Sequence, residues 1–530
     1  MIKTPLHIGR TMQLFLDNQI VDMIQAVTRR VHRPAKSADN PVVTKDRPYE
    51  KMPFFRTGNM CVAFDPVEDL YKCWYEDYAW DYERYMQRKG RTSGLVPPGW
   101  FDTTDMKWLY AESKDGLHWQ KPELDVCQID GQKTNVCLQA GQDGQMYVGC
   151  VFLDPLEKEQ AKRFKGLYWV QNQNKTDIRL GHSQDGRKWT LQEQNISVGG
   201  ICEQVFGDEF MIYPDTALGQ YLLTVRHRYM GETLDFKDVP CRVENNWEPP
   251  YYVGNPLLTN KRRVYSAASN RLSDWPTLRE MLVPNDVDDN IDDEFYSMPM
   301  IRIGDLYIAF LNVLHGTDNT MDVQLLYSRD AFNWQRVTGR SPYLECGNLE
   351  EGAWDPYLVE VGNSVIVRDD GIRIYYGGSA CHHDWWMWGE KEGLKDMPDE
   401  PGVCKTAMGL ATLRPEGFVS LSTTIRPGMV LTHPFTSDGE KLLVNVECEK
   451  DGYFQAALTD MAGREIPGYE KGSCDIFEGD DARHIVSWAG KTQLPRQSLA
   501  EGARLCFYSR KANLYSFKME LNTDENRYRQ

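Results

Sequence analysis

Three short segments each place a carboxylate among aromatic or apolar neighbours. They are GDEFM (207–211), DEFYSMP (293–299) and GAWDP (352–356). Each reads as the start of a strand. Carboxylates brought from distant segments to one cavity are what cleavage of a glycosidic bond requires. One carboxylic acid protonates the leaving oxygen, and a second carboxylate activates water or attacks the anomeric carbon. A third can tune the other two, because close like charges push their titrations apart. Asp208, Glu294 and Asp355 are therefore the candidate catalytic set. Glu294 reads as general acid, Asp208 as base or nucleophile, and Asp355 as a group that orients substrate or adjusts its neighbours. The first two roles are interchangeable at this level. Taken singly, each carboxylate is equally a turn cap or a strand end.

Further polar groups stand near the same strand ends. Arg56 opens RTGNMCVAF, Arg226 lies in LTVRHR, His315 closes LNVLH and Asp322 follows in MDVQL. Trp354 precedes Asp355, and SACHHDWWMW carries His382, His383 and Trp385. Arginine and histidine can hold sugar hydroxyls, and an indole offers a flat apolar face to a sugar ring. These eight residues are the candidate substrate-binding set. The HHDWWMW stretch also reads as a packed aromatic plug. No definite metal-ligand spacing occurs, and no cofactor is implied. Glu76, Asp77 and Asp81 in WYEDYAWDYERY read as a solvated loop, as does the acidic run 286–293.

The elements that must carry these groups announce themselves as a repeat. SKDGLHW (113–119), SQDGRKW (183–189) and SRDAFNW (328–334) share one pattern, and Ser269 and Trp275 keep its outer residues. Gly409 to Phe418 is a fifth, degenerate copy. A strand ends at Ser, Asp-Gly turns the chain, and Trp starts the returning strand. Each copy follows a strand-like run, and other strand pairs fill the intervals. About four strands per unit, in five units, predict an all-β five-bladed propeller over residues 1–425. Beyond that the repeat stops. Alternating strands with turns such as Lys450-Asp-Gly452 predict an antiparallel β-sandwich over 426–530. Helical periodicity is scarce, and the stretch from Trp275 to Leu282 is its best candidate.

Composition narrows the function classes. The 530 residues carry 60 basic and 77 acidic side chains, a net charge of −17. That field repels phosphate backbones and anionic membrane surfaces, so neither nucleic acid nor membrane is an expected partner. The 13 cysteines form no CxxC pair and read as reduced and mostly buried. The opening residues lack a signal-peptide pattern, so the chain as given is expected in the cytoplasm, or outside it if a leader was trimmed. The pattern is silent on oligomeric state.

Several segments resemble bacterial glycoside hydrolases of the family 43-like and family 32-like groups. The likeness lies in LFLDNQ near the start, the HRP and NPVV stretches, EFYSMP, DVQLLYSRD, IRIYYGG and GLATLRPEGFVSL. The resemblance implies a five-bladed propeller with three acids in a central pocket and a terminal β-sandwich. It also implies an exo-acting hydrolase that removes a terminal sugar, such as a furanoside or anhydro-sugar, from a plant or algal oligosaccharide. The WMNDPNG and RDP motifs of invertases are absent, and the first inner strand carries no acid. A glycoside phosphorylase using Arg56, Arg226 and His227, or a non-catalytic carbohydrate-binding propeller, are the alternatives.

Overall fold

The computed structural model describes residues 4–50, 52–56, 60–78, 107–139, 145–172, 175–198, 209–227, 261–285, 287–383 and 406–521. The chain is all-β across several sheets, with one α-helical turn among the described residues, Arg496–Glu501. Five four-stranded antiparallel units follow one another. The first is Met60–Asp65, Leu70–Tyr78, Lys107–Ser113 and Val136–Gln139. The second is Gln145–Leu153, Phe164–Asn172, Lys175–Ser183 and Thr190–Asn195. The third is Phe210–Asp215, Gln220–His227, Arg263–Ser269 and Arg279–Leu282. The fourth is Met300–Ile303, Leu306–His315, Thr320–Ser328 and Gln335–Arg336, with Asp293–Phe295 also pairing on its second strand. The fifth is Leu358–Arg368, Gly371–Ser379 and Thr406–Leu413, completed by Ala35–Lys36 from the start of the chain.

The first strands of the five units neighbour one another in a cycle, the fifth lying beside the first. A single parallel bridge between Asn363 and Cys61 joins those two. Among the described residues no sheet closes on itself: single parallel bridges join the first, fourth and fifth units into one 14-stranded sheet, and the second and third units are sheets of their own. The first strands enclose a largely apolar cavity of about 470 Å³, lined by Val62, Phe152, Ile212, Met300 and Val365 among others.

The repeat does its work between units as well as within them. Asp115 Oδ1 accepts the N–H groups of Leu117 and His118 at 2.8 Å, and Asp185 Oδ1 accepts those of Arg187 and Lys188. Gly116 and Gly186 take φ of 78° and 73°, which favours glycine. Each turn is then gripped by the preceding unit of the ring. Trp74 Nε1 donates to the Gly186 carbonyl at 2.7 Å, and Tyr375 Oη donates to that of Gly116 at 2.8 Å. At the hairpin between the first two strands of the first three units a second latch recurs. Asp65 is bound by Arg163 of the next unit, Asp154 accepts from Tyr221 at 2.8 Å, and Asp215 accepts from Tyr307 and from Arg302 at 3.1 Å. All three carboxylates are buried.

The last sheet has ten strands. Its centre is two long strands, Lys441–Asp460 and Ala503–Glu520, paired antiparallel. The turn expected at Lys450-Asp-Gly452 is instead a register shift within the first of them, with Asp451 at φ 63° opposite Lys511 at φ 46°. The ladder absorbs the extra residues as a bulge and the chain continues in the same direction. The Trp275–Leu282 stretch is also not helical. Trp275 and Arg279–Leu282 lie in strands, because the indole is buried in the third unit's core. Four strands from residues 6–31 pair with the terminal sheet, across the line drawn at 425. Arg329 of the fourth unit binds Asp17 of that segment at 2.8 and 2.9 Å.

Candidate functional site

At one end of the cavity the first strands begin and the second strands end. Side chains of four units meet there. Arg56 lies just ahead of Met60–Asp65, and Glu360 lies within Leu358–Arg368. Arg56 donates through Nε and Nη2 to Glu360 Oε1 at 2.8 and 2.5 Å, with Nη2 also 3.4 Å from Met321 Sδ. Burial works against the charge on Arg56, but Glu360 outweighs it and holds the guanidinium above its usual range.

The third and fourth units supply the rest. The Arg226 N–H donates to the Glu209 carbonyl at 2.9 Å, and the Phe295 N–H to the Arg262 carbonyl at 3.1 Å. This seats Asp293–Phe295 between the third unit and the second strand of the fourth. Glu294 accepts an ion-paired hydrogen bond from Arg262. The next residue on the same face, Tyr296, receives two guanidinium groups on its ring, Arg226 at 4.1 Å and Arg262 at 5.0 Å from the centroid. His383 packs edge-on against that ring at 5.1 Å. Arg56, Glu209, Arg226, Glu294, Tyr296 and Glu360 are all buried. Burial, with Arg262 and Arg56 nearby, pulls Arg226 down to about 10, against the opposing fields of Tyr296 and Glu294.

The expected residues divide as follows. Asp208 and Trp385 lie outside the described residues, as does Asp81. Glu294, Arg56, Arg226 and His383 belong to the buried cluster. Asp355 is buried elsewhere, bound by Lys36 Nζ at 2.6 Å and Tyr376 Oη at 3.0 Å. Lys36 belongs to the last strand of the fifth unit, so Asp355 and Glu294 have separate partners. Trp354 stacks on Tyr376 at 5.8 Å, its ring against Gly378 and Gly409. His382 lies over Tyr357 at 3.9 Å. His315 is held between Asp293 and Asp322, both contacts 2.8 Å. Glu76 and Asp77, expected in a solvated loop, are fully buried in Leu70–Tyr78, with Lys107 Nζ 3.6 Å from Asp77. A lysine on the adjacent strand makes that burial tolerable.

Sequence reasoning missed Glu209, Arg262, Tyr296 and Glu360. Glu360 had a signal: a lone acid inside the apolar run YLVEV. Tyr296 stands two residues after Glu294 and so shares its face. Among the described residues no cluster of His, Cys, Asp and Glu could hold a metal ion.

No family model and no curated protein matches the chain. Solved structures that align with the chain include a complex of BT0996 with RGII, at 14% identity over 73% of this chain and 93% of that one, with a TM-score of 0.44. A glycosyl hydrolase from Bacteroides ovatus shares 12% identity over 73% and 94%, with a TM-score of 0.43. A β-1,2-mannobiose phosphorylase from Listeria innocua shares 13% over 72% and 96%, with a TM-score of 0.44. Likeness at this level transmits no residue role to the chain.

Proposed function

We propose that the protein is a glycoside-processing enzyme, an exo-acting hydrolase that removes a terminal sugar from an oligosaccharide. The observation that carries this reading is the meeting of buried Arg56, Arg226, Glu294, Glu360 and Tyr296 with the partly exposed Arg262 at one end of the ring. Buried charges of both signs around an aromatic face form a preorganised polar site, able to orient hydroxyls and stabilise a developing oxocarbenium ion. Glu294, paired with Arg262, suits the base or nucleophile. Asp208, one residue before the buried Glu209, is then the acid, an exchange of the roles assigned from sequence. Asp355, held by Lys36 and Tyr376, acts as a support. The sheet that follows residue 425 braces the ring through the N-terminal strands.

A screen of aryl glycosides and of algal and plant oligosaccharides for released sugar tests this. Glu294→Gln and Asp208→Asn should each abolish turnover in a folded protein, and full activity in either removes that residue from the mechanism. A phosphorylase is the second reading, favoured by the three clustered guanidinium groups, which suit a phosphate. Turnover that requires inorganic phosphate would select it.

A further inference from the structure

Behind the site, on the opposite face of Asp293–Phe295 from Glu294, sits a carboxylate–imidazole–carboxylate chain. His315 Nδ1 lies 2.8 Å from Asp293 Oδ1, and Nε2 lies 2.8 Å from Asp322 Oδ2. With both carboxyls ionised their oxygens accept, so both ring nitrogens donate, and only the imidazolium has two N–H groups. The other oxygen of Asp322 is buried without a partner. Its carboxylate therefore depends on His315 for compensation inside the protein. The pairing spans three strands: Asp293 on the site strand, His315 at the end of Leu306–His315, and Asp322 on Thr320–Ser328.

The same histidine reaches the site by a second route. Its carbonyl accepts the Asn319 N–H at 2.8 Å, the Asn319 carbonyl accepts the His383 N–H at 2.9 Å, and His383 packs on Tyr296. His315 thus holds the strand that carries Glu294 and Tyr296 through its imidazole, and the turn that seats His383 through its backbone carbonyl.

We infer that His315, as a cation between Asp293 and Asp322, is a positioning residue that fixes the strand bearing Glu294 and Tyr296. The inference rests on the proposed site only for its link to turnover. Burial, with Asp293 and Asp318 as neighbouring carboxylates, pushes Asp322 above the usual carboxylate range against the pull of His315, so the imidazolium is the cation that favours its ionised form there. Asp292 is engaged by the Thr317 N–H at 2.8 Å. From the third unit, Lys261 turns to the Asn290 carbonyl and Arg262 to Glu294. Burial disfavours the imidazolium, yet Asp293 and Asp322 outweigh it and raise His315 to about 10. The stability this supplies is complete below the ordinary histidine value of about 6.5. It is lost as pH rises through about 10.

The test uses the full chain and three measurements. Hydrogen exchange should show the amides of 293–296 exchanging at least tenfold faster in His315→Gln, with those of 505–507 unchanged. NMR of ¹³C-histidine-labelled wild type should show one imidazole still protonated at pH 8.5, its titration falling by two or more pH units in Asp322→Asn. The alkaline limb of the kcat/KM profile should move down in the same variant. Unchanged exchange in His315→Gln, or a neutral imidazole at pH 8.5 in the wild type, overturns the inference. Should the wild type cleave no glycoside, the exchange and NMR results still decide it. If His315→Gln does not fold, the wild-type NMR titration does so alone.

Discussion

Asp65→Asn should weaken the ring at one identifiable joint. Asp65 is wholly buried and meets Arg163 of the next unit through both oxygens, one at 2.7 Å, and Lys72 Nζ at 2.7 Å. Its Oδ1 also accepts the Val67 N–H at 3.0 Å. Burial works against the carboxylate, but Arg163 and Lys72 overcome it and hold Asp65 well below the usual range. Asparagine keeps the turn acceptor and removes the charge. Lys72, itself fully buried, and Arg163 then keep Glu68 as their remaining carboxylate, at 2.8 and 3.7 Å, beside the Asp185 and Gln184 carbonyls at 2.8 and 2.7 Å. Removing one partner of a buried ion pair costs about 3–5 kcal/mol. Because Glu68 remains, about 3 kcal/mol is expected here, a large share of the roughly 5–15 kcal/mol that holds a protein folded. Urea unfolding at pH 7 should show it as a lower midpoint. The sign with pH is fixed: the contribution of a depressed carboxylate is present above about pH 4 and fades as pH falls below it. The gap between wild type and variant should therefore hold from pH 5 to 8 and narrow below pH 4. A gap under about 1 kcal/mol at pH 7, or one that does not narrow in acid, would refute the latch as a structural joint.

Two milder perturbations follow from the same geometry. Tyr221→Phe removes one donor from the buried Asp154 and should cost about 1–3 kcal/mol, read by the same urea titration. Gly377→Ala should fail to accumulate as folded protein, because a Cβ there would stand 1.6 Å from the Phe55 carbonyl oxygen, a backbone atom that cannot swing aside. Normal soluble expression with wild-type circular dichroism would contradict it.

Much of the ring was legible because its signals are local. The Ser-Asp-Gly-Trp turns fix hairpins through contacts within a few residues, and those hairpins are where the structure has them. What could not be read was pairing between distant segments. Nothing in Ala35-Lys36 says that it completes the fifth unit, and nothing in residues 6–31 says that they join the terminal sheet. The site shows the same division. Glu294 was found from its place at a strand start. Glu360 was passed over because its role depends on Arg56, 304 residues away. Asp355 looked equivalent to Glu294 in sequence, but Lys36 from the other end of the chain claims it.

The central claim is that the buried cluster at the end of the ring does chemistry on a sugar. Its most direct test sets purified wild type beside Glu294→Gln, each with the oligosaccharide panel, with and without inorganic phosphate, reading released sugar by chromatography. Release by the wild type without phosphate, and none by a folded Glu294→Gln, is the predicted result. Equal release by both proteins would contradict the account, as would a wild type that neither cleaves nor binds any member of the panel.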